Sequence, residues 1–264
     1  CLQLSGILLP SRDRGTNAAA ATTDTTLTTM KKHHILIASL ALLGAALASN
    51  ADETKWAPYV GAETGVDLVS TVTAGKSTDE AGTCDISLKP GAAFGLDAGF
   101  AHGSLFLGAE LRYSQAKLDT LTWYDSEGVS YEKLPATDGQ LRQLTLAPTI
   151  GYSLFSNGKL SVAGQLTAGW LRREFSDVKH DDAENGTENV LDDAKSTWLV
   201  KPSLILSYAL GEHSSIKLRY AYAFSGKTTA TDLTAAADDE DNNRNPDISA
   251  IKTHSLSLGY SYQF

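Results

Sequence analysis

Nucleophilic catalysis needs a base within hydrogen-bond reach of the nucleophile, and the six histidines make a short search. His33 and His34 fall in an apolar N-terminal leader, His102 and His213 in tight turns, and His180 in an acidic connection. His254 beside Ser255 is the one pair within a strand-like segment. Neighbours on a strand face opposite ways, so a His-Ser dyad is not expected there. Carboxylate runs at Asp181-Asp182, Asp192-Asp193 and Asp238-Asp239-Glu240-Asp241 have the chemistry for Ca²⁺, but none follows the spacing of an EF-hand loop. A solvated acidic surface is the preferred reading. No catalytic residue, metal site or cofactor is expected. Two other sets of charges stand out by their spacing. Glu63, Asp67, Asp97, Glu110, Arg112, Arg173, Lys201, Lys217 and Arg219 share the polar series of alternating segments, four acids against five bases. Lys117, Arg142, Arg172, Lys252 and His254 continue the opposite, apolar series at one end, where guanidinium groups can make bidentate bonds to phosphate.

The elements that must position these charges are strands. Eight stretches alternate apolar with small or polar residues, at 59–68, 92–100, 105–114, 143–152, 160–170, 198–208, 215–224 and 255–264. A period of two gives each strand two faces in different surroundings. The connections alternate in length. Long ones span 70–87, 119–139, 175–195 and 225–250, with net charges of −2, −4, −5 and −4, and short ones span 101–104, 154–158 and 211–214. Four long loops at one end and three tight turns at the other is the asymmetry of a membrane barrel, and an even strand count suits it. Pro148 and Pro202 fall within strands, where each removes a ladder donor; a local bulge is the expected accommodation.

Composition narrows the alternatives. With 42% hydrophobic residues and 20% charged, the 264-residue chain can build a core and is not ordinary disorder. A net charge of −9 argues against nucleic-acid binding. Met30, Lys31 and Lys32 precede an apolar stretch from Ile35 to Leu47 and the small residues Ala46-Leu47-Ala48, which read as a secretory signal over 30–48, with a second cleavage site after Ala51. Residues 1–29 are expected to be upstream sequence joined to the gene, and the barrel to occupy 54–264. Removing 1–48 leaves 18 basic and 29 acidic residues, net −11, and Cys84 as the remaining cysteine, so no internal disulfide is expected and Cys84 has no assigned role.

Face chemistry sets the environment of each series. The apolar series carries Phe100, Tyr152, Tyr208, Tyr262 and Phe264 near the turns and Tyr113, Trp170, Trp198 and Phe224 near the loops, matching two interfacial girdles. A lipocalin-type barrel would place the apolar series inside. The expected fold is therefore all-β: an eight-stranded, antiparallel, up-and-down transmembrane β-barrel, monomeric, with a polar interior too narrow for unpaired charge. The nine interior charges are expected to pair with one another. The five outward bases form a collar that would face lipopolysaccharide.

The C-terminal run Leu256-x-Leu258-x-Tyr260-x-Tyr262-x-Phe264 resembles the signal by which the barrel-assembly machinery reads Gram-negative outer-membrane proteins. With Tyr59-Val60-Gly61-Ala62-Glu63-x-Gly65, it makes the chain resemble the small eight-stranded family of the OmpA transmembrane domain, OmpX, and the Ail/Lom and opacity-type proteins. The resemblance implies outer-membrane anchoring, often adhesion or serum resistance, and the loose label porin. Three functions stay open on the sequence. The first is a structural or surface-interaction role toward an extracellular ligand, with loop aromatics Trp123, Tyr124 and Tyr131 as candidate contacts. The second is a narrow porin-like channel. The third, least favoured, is a lipid-modifying enzyme.

Overall fold

Residues 56–75, 83–124, 130–135, 138–182, 186–229 and 247–264 are described by the computed structural model. The signal segment, residues 238–241 and most of the last loop lie outside them. The strands are β1 (Ala57–Val69), β2 (Val72–Gly75), β3 (Thr83–Leu88), β4 (Gly91–His102), β5 (Leu105–Tyr124), β6 (Ser130–Pro135), β7 (Asp138–Asn157), β8 (Leu160–Asp182), β9 (Gly186–Ala209), β10 (Ser214–Ser225), β11 (Thr228–Thr229), β12 (Asp247–Ile248) and β13 (Lys252–Gln263).

Eight of these make the ring. Around it the order is β1, β4, β5, β7, β8, β9, β10 and β13, every neighbour antiparallel, and β13 returns to β1. Closure gives every ring strand a partner on both sides, which a bilayer demands because its core offers no water to unpaired amides. The alternation is realised as expected. Val60, Val66, Leu96, Leu107, Ile150, Leu204, Leu218 and Leu258 are exposed on the outside, while Glu63, Asp97, Glu110, Thr167 and Ser257 are buried within. The turn end is tight. Gly103 and Gly158 sit at φ +57° and +58° in two-residue turns, a conformation that favours glycine. The turn expected over 154–158 is shorter, because β7 runs on to Asn157 through a register shift between Ser153 and Phe155.

The loop end departs from expectation. Much of the chain assigned to long connections is strand. β5 runs to Tyr124 and pairs with β3 on one side and β6 on the other, and β8 and β9 continue as a paired hairpin to Asp182 and Gly186. The cause is that beyond the membrane the outer face meets water. A strand there needs no apolar alternation, and its β-branched and aromatic residues, as in Thr120-Leu121-Thr122-Trp123-Tyr124, still favour extension. A small sheet extends from the ring in the order β5, β3, β2, β12, β11.

This sheet changes the interior as well. Val72, Ala74, Cys84, Ile86, Leu118, Leu121, Leu141, Phe175, Val178, Ile248 and Ile251 form one buried apolar core, against the expectation of a wholly polar inner face. Register shifts at Ser87/Leu88 and between Phe175 and Lys179 keep the apolar residues inward where strict alternation would turn them out. We call this sheet and its core the cap.

The two prolines are accommodated without the expected bulge. On the β7 and β8 side, Cα partners run to Leu146 and Trp170 and resume at Thr149 and Thr167 in the same register, skipping Pro148. Between β9 and β10 they pass from Ser203 and Ala221 to Val200 and Phe224, skipping Pro202. Both prolines keep their partners on the opposite edge, Ala109 and Leu166. Each strand thus loses pairing on one edge and keeps its facing.

Candidate functional site

The ring interior at mid-height is a connected ion-pair network. Arg112 on β5 donates from Nη1 to Glu63 Oε1 at 2.8 Å and from Nη2 to Asp67 Oδ1 at 2.6 Å, reaching across to β1. Arg219 on β10 is the hub: it lies 3.0 Å from Glu110, 3.3 Å from Glu63 and 3.8 Å from Asp97. Lys201 on β9 donates to Glu110, and Lys217 on β10 sits 3.5 Å from Asp97. Four carboxylates and four bases are thereby joined. Alternation is what aims them all inward, and ring closure is what brings β1 within reach of β5 and β10, and β5 within reach of β9. Such a network is tolerated in a narrow, water-poor lumen only because each charge has a partner there.

Space for these side chains comes from glycines on the same inner face. A Cβ at Gly61 would stand 2.6 Å from Asp97 Oδ1, and one at Gly95 would stand 2.9 Å from Glu63 Cγ. Toward the turn end, Tyr59 meets Phe106 edge to face with centroids 6.4 Å apart, and Lys217 Nζ lies 5.4 Å from the Tyr59 ring centroid. Phe106 in turn fills the place of a side chain at Gly151. Toward the loop end a cavity of about 20 Å³ separates Arg112 and Lys201 from the cap, lined also by Ser225, Ile251 and Thr253. That is room for about one water molecule. Leu171, Leu199 and Ala223 close over it, and the cap core lies beyond.

Arg173, expected in the network, is interior but separate. No carboxylate among the described residues pairs with it. Its guanidinium donates to neutral acceptors near the last loop: Gly226 O at 2.8 Å, Thr228 Oγ1 at 2.7 Å, and Ser225 Oγ and Ser249 O at 3.4 Å. The reason is height. Arg173 sits above the apolar Leu171 layer, at the level where the chain crosses from ring to cap. Sequence alternation fixes which face a residue takes and gives no warning of this partner set, because residues 225–250 read as a loop.

The outward bases do not form an even collar. Lys117, Arg172, Lys252 and His254 are exposed, and Arg142 is half-exposed. Lys117, Arg142 and Arg172 occupy adjacent strands β5, β7 and β8, whereas Lys252 and His254 stand together on β13. Arg142 already pairs with Glu174 at 3.3 Å, a partner across the β7 and β8 ladder that the sequence reading missed. His254 Nδ1 lies 2.8 Å from the Tyr220 hydroxyl and its ring packs 4.6 Å from that of Tyr222, while Ser255 is buried on the inner face. Leu256, Leu258, Tyr260 and Tyr262 are exposed on the outer face of β13, and Phe264 just beyond it is exposed as well.

Among the loop aromatics, Tyr124 stands opposite Thr83 and Ser130. The side chains of Trp123 and Tyr131 lie outside the described residues, as do those of the Asp181-Asp182 and Asp192-Asp193 pairs. Cys84 is buried in the cap, and burial with Asp85 beside it pushes its thiol up to about 12.

A closed antiparallel ring with an apolar exterior, aromatic ends and a paired charged interior defines an integral outer-membrane β-barrel. The sequence matches the family model described as "Outer membrane protein beta-barrel domain" over residues 38–264, and the chain belongs to that family of Gram-negative outer-membrane proteins. Solved structures similar to it include Neisserial surface protein A, with 15% identity over 78% of this chain and 97% of that one at a TM-score of 0.43. The outer membrane protein OprG from Pseudomonas aeruginosa shares 12% identity over 81% and 99% at 0.47. The outer membrane protease OmpT from Escherichia coli shares 10% over 83% and 100%, also at 0.47. Comparison with curated proteins finds no match.

Proposed function

We propose that this barrel is a closed membrane anchor that works through its loop end, as a structural or surface-interaction protein rather than a solute channel or an enzyme. The observation that carries the reading is the filling of the lumen from end to end: Tyr59 and Phe106 at the turns, the eight-charge network at mid-height, and the apolar cap at the loops. Tyr59 and Phe106 lie beyond the network toward the turns, and Leu171, Leu199 and the cap core lie beyond it toward the loops, so apolar side chains stand in the path of an ion on both sides of it. The test is planar-bilayer conductance of the refolded protein beside Arg112→Ala and Lys217→Ala variants. The expected result is no resolved conductance step in any of the three. Steady steps in the parent that grow in the variants would replace this reading with a charge-gated pore.

The outward bases would seat the barrel among lipopolysaccharide phosphates, which favour guanidinium partners. Lys117, Arg142 and Arg172, gathered on three neighbouring strands, are the stronger half of that contact, and Lys252 with His254 the weaker. Changing Lys117, Arg142, Arg172 and Lys252 together to Gln should reduce the lipopolysaccharide retained by the purified barrel. Unchanged retention would remove the assignment. The outward series from Leu256 to Phe264 would serve as the assembly signal during insertion.

A further inference from the structure

Arg173 is 1% exposed, and its four acceptors fall on two stretches of chain that are far apart in sequence. Gly226 and Thr228 follow the end of β10, where the chain leaves the ring for the cap. Ser249 precedes β13, where it comes back. Gly226 and Ser249 are points at which the backbone drops out of a regular ladder, so their carbonyls need donors from elsewhere. The guanidinium supplies them: Nη2 donates to Gly226 O at 2.8 Å and to Thr228 Oγ1 at 2.7 Å, and Nη1 to Ser249 O and Ser225 Oγ, each at 3.4 Å. Ser225 carries the connection onward, donating from Oγ to Ile251 O at 3.3 Å and accepting from Ile251 N at 3.2 Å.

The ladders that hold this part of the cap are short. β11 and β12 pair through two residues each, and β12 meets β2 through two. A buried guanidinium with neutral acceptors is a costly group to keep, and an apolar residue would fill the volume at less expense. What an apolar residue lacks is a planar fork of donors able to reach two crossings at once.

We infer that Arg173 is a pin that locks the cap onto the mouth of the ring, so that losing its bonds lets the cap open while the ring stays closed. The cap then opens as a unit, because Ile248 and Ile251 sit in the same apolar core as Val72, Cys84 and Ile86. The pin acts by position and touches no ligand.

Cys84 makes the test direct, since it is 3% exposed within that core and reacts only when the core admits water. The full chain, refolded in phosphatidylcholine vesicles, is treated with a water-soluble maleimide, and labelling of the Cys84 peptide is followed by mass spectrometry. Ring integrity is read in parallel from far-UV circular dichroism and from the shift in gel migration on heating. Loss of several charge-assisted bonds should make Cys84 in Arg173→Met react about tenfold faster or more than in the parent. Arg173→Lys should lie between, because an ammonium reaches one crossing and not both. Labelling of folded Arg173→Met at the parent rate would overturn the inference. Should Arg173→Met fail to fold, Thr228→Val carries the question, since it removes one acceptor outside the ring. A rise of roughly two- to fivefold is expected there from one lost bond, and the parent rate, or loss of the ring, would overturn the inference.

Discussion

Gly151 is defined by its neighbour: a Cβ built there would lie 1.9 Å from the Phe106 ring, closer than any packing allows. The glycine therefore encodes the seat of an aromatic plug contributed by the adjacent strand. Gly151→Leu should expel Phe106 and cost about 1–3 kcal/mol of stability, the usual range for overpacking. Urea unfolding in lipid vesicles would measure it, and Phe106→Ala in the same chain should recover most of the loss. A double variant as unstable as the sum of its parts would show that the two sites do not share the space. At the same scale, the sequence disclosed which charges point inward but not how they divide. Eight of the nine meet in one network, and Arg173 does not, because an apolar layer at Leu171 and Leu199 separates them.

Among the elements, β7 and β9 each carry a proline at an outward position and lose pairing beside it with no change of register. Without a shift, the inner faces on either side stay in phase, and Thr145 and Thr149 both remain buried around Pro148. Pro148→Ala and Pro202→Ala should each leave stability within about 1 kcal/mol of the parent, since neither strains a bulge and the restored N–H lies beside an open rung. Equilibrium unfolding would check this. A loss well beyond that in either variant would mean that the pyrrolidine ring itself packs something the ladder pattern does not reveal. The core of every ring strand was legible from period-two alternation. The strand ends beyond the membrane were not, because polar residues on a strand facing water carry no periodic signal, and Asp, Glu and Asn there read as loop.

For the whole molecule, composition, alternation and loop asymmetry were sufficient to predict a closed eight-stranded ring with its polar side inward, and the pairing bears that out. The cap was hidden for a different reason. Its buried apolar residues come in ones and twos from β2, β3, β5, β7, β8, β12 and the residue before β13, each too few to mark a core within its own segment. Their meeting depends on long-range pairing and on register shifts, neither of which leaves a local pattern. The lumen is consequently graded along its axis, from aromatic through ionic to aliphatic.

β8 and β9 are the longest of the described strands. β8 has 23 residues, which at ~3.3 Å each and a tilt near 40° rise about 55 Å along the barrel axis. An apolar band of ~25 Å takes up less than half of that height. The hairpin tip thus stands roughly 30 Å clear of the hydrocarbon. An antibody, a phage fibre or another cell's surface would meet that tip well before it met the lipid.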